Sequence, residues 1–128
     1  MATSLILIVE DNARNAKLLR DVLQATGYRT VDTTTAEEGL AIARRDLPDL
    51  ILMDIQLPGM DGKEALGELR KDPATRSIPV IAVTASAMPL ERQVILAAGF
   101  DGYLGKPLSV KTLLAEVQRM LARGVAGS

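Results

Sequence analysis

Three short apolar runs, Leu5 to Val9, Leu50 to Met53 and Val80 to Val83, constrain this chain more than any other feature. Each is nearly continuous and only four or five residues long. Such runs suit strands covered on both faces, as in a parallel sheet. Tyr28 to Thr33 alternates between polar and apolar residues and reads as an edge strand, and Gly102 to Leu104 is a weaker fifth candidate.

Amphipathic stretches fill the intervals. Leu18, Leu19, Val22 and Leu23 form a stripe ended by Gly27 in a C-cap position. Thr35-Ala36-Glu37-Glu38 has the spacing of a capping box and opens a second helix. A third helix is expected after Asp61, with Ala65, Leu66 and Leu69 facing inward. Pro89 suits the first turn of a fourth, which ends near Gly99. Ser109 caps a fifth, whose stripe is Leu113, Leu114, Val117, Met120 and Leu121. Alternating strands and helices predict an α/β domain on a parallel sheet with right-handed crossovers. The 128 residues suffice for one compact domain. Its core is expected over about residues 4–123, with a short flexible tail at 124–128.

In such sheets, ligands bind beyond the carboxyl ends of the strands. Glu10 and Asp11 follow the first run, Asp54 the third, Thr84 the fourth and Lys106 the fifth. Taken singly, each has an ordinary reading: Asp54 as a turn cap before Pro58, Glu10-Asp11-Asn12 as a helix cap, Thr84 as a β-branched strand residue, Lys106 as a solvated charge. Placed together they describe a site. Three carboxylates at one edge repel one another unless a cation sits among them. Hard oxygen ligands favour Mg²⁺, which uses one or two carboxylates and shares phosphate oxygens. A lysine and a hydroxyl at the same edge suit phosphoryl oxygens. An aspartate can itself attack phosphorus and become an acyl phosphate.

Composition narrows the chemistry further. The chain has no cysteine and no histidine. Thiol nucleophiles, disulfides, histidine bases and zinc–histidine sites are therefore excluded, and the reading fits a reducing, cytoplasmic setting. The net charge of −1 gives no argument for nucleic acid or a membrane surface. The first residues lack a signal-peptide pattern, and no apolar run approaches the roughly 20 residues a membrane span needs.

The chain resembles a response-regulator receiver domain of two-component signalling over essentially its whole length. The matching pieces are Ile8-Val9-Glu10-Asp11-Asn12, then Leu52-Met53-Asp54-Ile55-Gln56-Leu57-Pro58-Gly59-Met60-Asp61-Gly62, then Val83-Thr84-Ala85, then Tyr103-Leu104-Gly105-Lys106-Pro107. Asp54 and Thr84 are 30 residues apart and Thr84 and Lys106 are 22 apart, as in that family. Asn12-Ala13-Arg14-Asn15 and Ala85-Ser86-Ala87-Met88 resemble the receivers of hybrid kinases and of a single-domain cell-division regulator.

The resemblance implies a flavodoxin-like, doubly wound fold, with five parallel strands in the order 2-1-3-4-5 and five flanking helices. It implies that Asp54 accepts a phosphoryl group from a histidine kinase or histidine phosphotransfer protein. It implies that Glu10, Asp11, Asp54 and the backbone carbonyl of Gln56 hold Mg²⁺, and that Thr84 and Lys106 contact the phosphoryl oxygens. Tyr103, one of only three aromatic residues, takes the family's switch position together with Thr84. Gln56 and Ser86 border the path of the attacking water and tune the lifetime of the acyl phosphate. The Lys106-Pro107 bond is expected to be cis. The output face is expected on the fourth helix, fifth strand and fifth helix, with Pro89, Leu90, Arg92, Gln93, Lys111 and Glu116 as contact residues for a downstream protein.

Two positions depart from the usual pattern: Pro89-Leu90 replaces a polar start of the fourth helix, and Gly105 is smaller than the common residue before the lysine. Neither touches the phosphorylation set. The resulting expectation is a single-domain regulator, not an enzyme beyond its own phosphorylation and dephosphorylation. A receiver cut from a longer regulator or hybrid kinase, and a binding module that has given up phosphorylation, remain alternatives. A flavodoxin or small phosphatase fits less well. Asp54-Ile55-Gln56 lacks a second aspartate, few aromatic residues are present to stack a flavin, and there is no phosphate-binding glycine loop.

Overall fold

The computed structural model describes residues 4–85, 89–106 and 108–126. The five expected strands become β1 (Leu5–Val9), β2 (Arg29–Thr33), β3 (Leu50–Asp54), β4 (Val80–Thr84) and β5 (Gly102–Gly105). Between and after them run α1 (Ala13–Ala25), α2 (Ala36–Asp46), α3 (Gly62–Lys71), α4 (Pro89–Ala97) and α5 (Val110–Ala126). The sheet is wholly parallel in the order β2-β1-β3-β4-β5. The expected edge strand, β2, is an edge, and β5 is the other.

The period of two along each strand sorts side chains into two layers. Leu7, Val9, Ile51, Met53, Val80 and Ala82 face α2, α3 and α4. Ile6, Ile8, Leu50, Leu52, Ile81 and Val83 face α1 and α5. Both faces are covered, which is why β3 and β4 read as unbroken apolar runs.

Local signals set the helix boundaries. Asn12 Oδ1 accepts from Asn15 N, Thr35 Oγ1 from Glu38 N, and Asp61 Oδ1 from Glu64 N, at the N-termini of α1, α2 and α3. Ser109 Oγ accepts from Thr112 N at 3.4 Å to start α5. Thr26 is the C-cap of α1, and Gly27, one residue on, takes a φ of 105° that glycine tolerates. On α1 the inner stripe is Ala16, Leu19 and Leu23, while Leu18 and Val22 are only partly buried. The α5 helix continues to Ala126, three residues into the stretch expected as a tail, and Gly127 and Ser128 lie outside the described residues. Among the described residues no helix is long and apolar enough to cross a membrane.

Candidate functional site

The strand order brings four loops to one edge. Asp54 ends β3 and Thr84 ends β4, each being the last residue of its strand, not the first after it. Glu10 and Asp11 leave β1 beside them, and Lys106 leaves β5. Lys106 N donates to Thr84 O at 2.8 Å, which holds the lysine against the end of β4. Its ammonium then reaches across β4, with Nζ 2.9 Å from Asp54 Oδ2 and 3.1 Å from Glu10 Oε1. Asp54 Oδ1 accepts from Gln56 N at 2.9 Å, and Glu10 Oε2 from Asn12 N at 3.2 Å. Local turns and a lysine 52 residues beyond Asp54 therefore orient the two carboxylates.

Glu10 and Asp54 are almost fully buried and Asp11 is exposed. Burial pushes the Glu10 carboxyl up to about 7, and its hydrogen bond to Asp54 adds to this, against the opposing pull of Lys106 and the Asn12 amide. Burial works against the Lys106 charge, but the hydrogen bond to Asp54 and the ion pair with Glu10 outweigh it and raise its pKa above the ordinary lysine value. One ammonium, in contact with Glu10 and Asp54, stands against a cluster of three carboxyls, so the cluster stays acidic.

The residues fit a divalent cation. Glu10, Asp11 and Asp54 each offer an oxygen within 4.8 Å of the others. Glu10 Oε1 is buried and accepts no hydrogen bond, although the Lys106 ammonium lies 3.1 Å away as an ion-pair contact. An all-oxygen set with a free buried lone pair suits Mg²⁺, which takes one or two carboxylates and keeps its waters.

A cavity of about 360 Å³ opens beside this cluster, lined by Ile55, Gln56, Lys63, Thr84, Glu91, Val94 and Ile95. Gln56 and Thr84 thus share a wall with Lys63 of α3 and Glu91 of α4, two residues that no local sequence signal marked. Ser86, and Pro107 with its expected cis bond, lie outside the described residues. Tyr103 is paired in register with Ala82, and Thr84, two residues further along β4, shares that face of the sheet. The Tyr103 ring is half-buried, with the Arg92 guanidinium 5.0 Å from its centroid. Of the expected contact residues, Arg92, Gln93 and Lys111 are exposed, and Glu116 is half-buried in an ion pair with Arg119 at 2.9 Å. The side chains of Pro89 and Leu90 lie outside the described residues.

Known proteins share this arrangement. Residues 6–118 match the response regulator receiver domain family. The polar-differentiation response regulator DivK of Brucella ovis is 45% identical over 119 residues, covering 93% of this chain and 97% of that one. A putative response regulator from Chloroflexus aurantiacus superposes with a TM-score of 0.90 at 31% identity, over 94% of this chain and 99% of its own. The receiver domain of a sensor histidine kinase from Pseudomonas aeruginosa, solved with a magnesium ion coordinated in its active-site cleft, superposes with a TM-score of 0.82 at 38% identity, over 99% of this chain and all of its own.

Proposed function

This chain belongs to the response regulator receiver domain family, and from that premise we propose that it is a single-domain switch phosphorylated on Asp54. The observation that carries the reading is the Lys106 ammonium held 2.9 Å from Asp54 Oδ2 within a cluster of carboxyls fit for Mg²⁺. A histidine kinase or histidine phosphotransfer protein supplies the phosphoryl group. An Asp54 oxygen attacks phosphorus, the P–N bond of the phosphohistidine breaks, and the imidazole leaves with the electron pair. Lys106 and Thr84 meet the oxygens of the transferred group. Glu10, Asp11, Asp54 and the Gln56 carbonyl would hold Mg²⁺, which supplies neutralisation of the phosphoryl charge. Water later attacks phosphorus and restores the carboxylate, past Gln56 and Ser86. The chain then catalyses nothing beyond its own phosphorylation and dephosphorylation, and its output is a protein contact made in the cytoplasm through α4, β5 and α5.

The likeness to a sensor kinase's receiver favours one second reading, that the same residues serve as the receiver of a longer kinase. The test of the first reading is a phosphotransfer profile against the histidine kinases of the host, with Mg²⁺ and with Asp54→Asn as the blank. One hydroxylamine-labile phosphoryl group per chain is expected in the parent and none in the variant. Equal labelling of both would overturn the assignment of Asp54.

A further inference from the structure

β5 is an edge strand whose outer side is open. A groove of about 390 Å³ runs along it, lined by every residue from Asp101 to Gly105, by Leu96 of α4, and by Thr112, Glu116 and Arg119 of α5. Asp101 N donates inward to Val80 O at 2.9 Å. The Ile81–Gly102 register and the donation of Lys106 N to Thr84 O turn the N–H and C=O of Gly102 and Leu104 inward to β4, and backbone groups in a parallel pair alternate in direction, so the N–H and C=O of Tyr103 and Gly105 point into the groove. Among the described residues none of these four groups has a hydrogen-bond partner beyond the sheet. Two of the four strand residues are glycines, so little side chain covers this backbone. A β-carbon on Gly102 would come within 2.8 Å of Glu116 Oε2, which shows how closely α5 walls the groove.

We propose that this groove takes an extended segment of a partner protein, which adds to β5 as a sixth strand and carries an acidic residue. The proposal rests on the output face proposed above and specifies how that face binds. The walls decide the occupant. A second copy of this domain would bring its own flanking helices against α4 and α5, whereas a single extended segment fits between them. Strand addition satisfies the open backbone groups and reads alternate side chains in the flanking walls. Charge selects the acidic residue. Asp101 is paired with Arg70 and Glu116 with Arg119. Arg92, stacked on Tyr103 at the α4 rim, has no carboxylate partner among the described residues. Because its guanidinium rests on the switch tyrosine, movement of that ring would change the grip on the segment.

The probe is a capped hexapeptide alternating threonine and valine around one central aspartate, titrated into isotope-labelled full-length protein before and after phosphorylation by a small acyl phosphate. The amide signals of Tyr103 and Gly105 should shift. N-methyl groups on the alternate amides that face β5 should weaken binding about tenfold, and those on the other amides should not. Gly105→Pro, which removes an outward N–H, should lose about tenfold, whereas Gly105→Ala keeps it and binds normally. Arg92→Gln should weaken the aspartate peptide but not its asparagine analogue. Shifts confined to helix residues, equal loss from both methylation patterns, equal binding by Gly105→Pro and Gly105→Ala, or no binding at millimolar peptide would each overturn strand addition. Phosphoryl incorporation at Asp54, read on the same samples, reports separately on the phosphorylation reading.

Discussion

Glu10 is where burial and charge conflict most openly. Its carboxyl is raised from 4.5 to about 7, so the folded metal-free protein holds this proton more tightly than the unfolded chain does. Below about 4.5 the residue is protonated in both states and costs nothing. As pH rises from about 4.5 through about 7, the fold must accept a buried charge, and this residue's effect is to lower stability across that window. Lys106 stays charged throughout the window and contributes no slope there. The expected result is a midpoint of thermal unfolding that falls across the window in metal-free protein and falls less in Glu10→Gln. Mg²⁺ competes with the same proton, so its affinity should tighten as pH rises through 7, measured by calorimetry. A pH-independent affinity would remove Glu10 from the ligand set.

Two helices show how element packing rests on single side chains. Gly39 lets α2 lie directly on the sheet, since a β-carbon there would sit 2.8 Å from Val9 Cγ2. Gly39→Ala gains about 1 kcal/mol of helix propensity but forces overpacking of about 1–3 kcal/mol. A net loss of about 1 kcal/mol in urea unfolding is expected, and the sign should reverse in a Val9→Ala background, where the methyl has room. At the opposite edge of the sheet from the cluster, Arg70 ends α3 as a clamp. Nη1 donates to Arg76 O at 2.9 Å and Ile78 O at 2.8 Å, and Nη2 to Gly99 O at 3.3 Å and Asp101 Oδ2 at 2.9 Å. Asp101 Oδ2 in turn accepts from Val80 N, so one guanidinium fixes the entries to β4 and β5. Arg70→Ala should cost about 2–3 kcal/mol, and Arg70→Lys should recover less than half, because an ammonium cannot reproduce the fork. Full recovery by lysine would reduce the clamp to a simple charge effect.

Across the whole molecule, the phosphorylation edge and the proposed output face meet through β4 and β5. Thr84 lines the cavity beside Asp54, and Tyr103 lines the groove beside α4. A phosphoryl group adds roughly −1.5 to −2 charges. Drawing Thr84 toward it would open space for the Tyr103 ring to turn inward, which is a shift between two arrangements that the phosphoryl group must bind unequally. Tyr103→Ala and Thr84→Ala should both remain phosphorylated on Asp54 yet lose phosphorylation-dependent binding of the downstream partner in pull-downs. Unchanged binding in both would break the proposed link between site and face.

Strand and helix order was legible in the sequence because each element carries its own period: unbroken apolar runs for β3 and β4, capped amphipathic stripes for α1, α2 and α3. The residues now clustered at the carboxyl edge were legible for the same reason, since a parallel sheet sends every strand end to one side, and Glu10, Asp11, Asp54, Thr84 and Lys106 each stand at such an end. What depends on distant partners was not. Nothing near Gly39, Arg70, Lys63 or Glu91 in the chain announces Val9, Asp101 or the cavity by Asp54. The raised pKa of Glu10 and the open edge of β5 likewise arise only when the sheet closes its order and the helices set their spacing. Local pattern decided which residues go to the site, and packing across long sequence separations decided what each of them faces there.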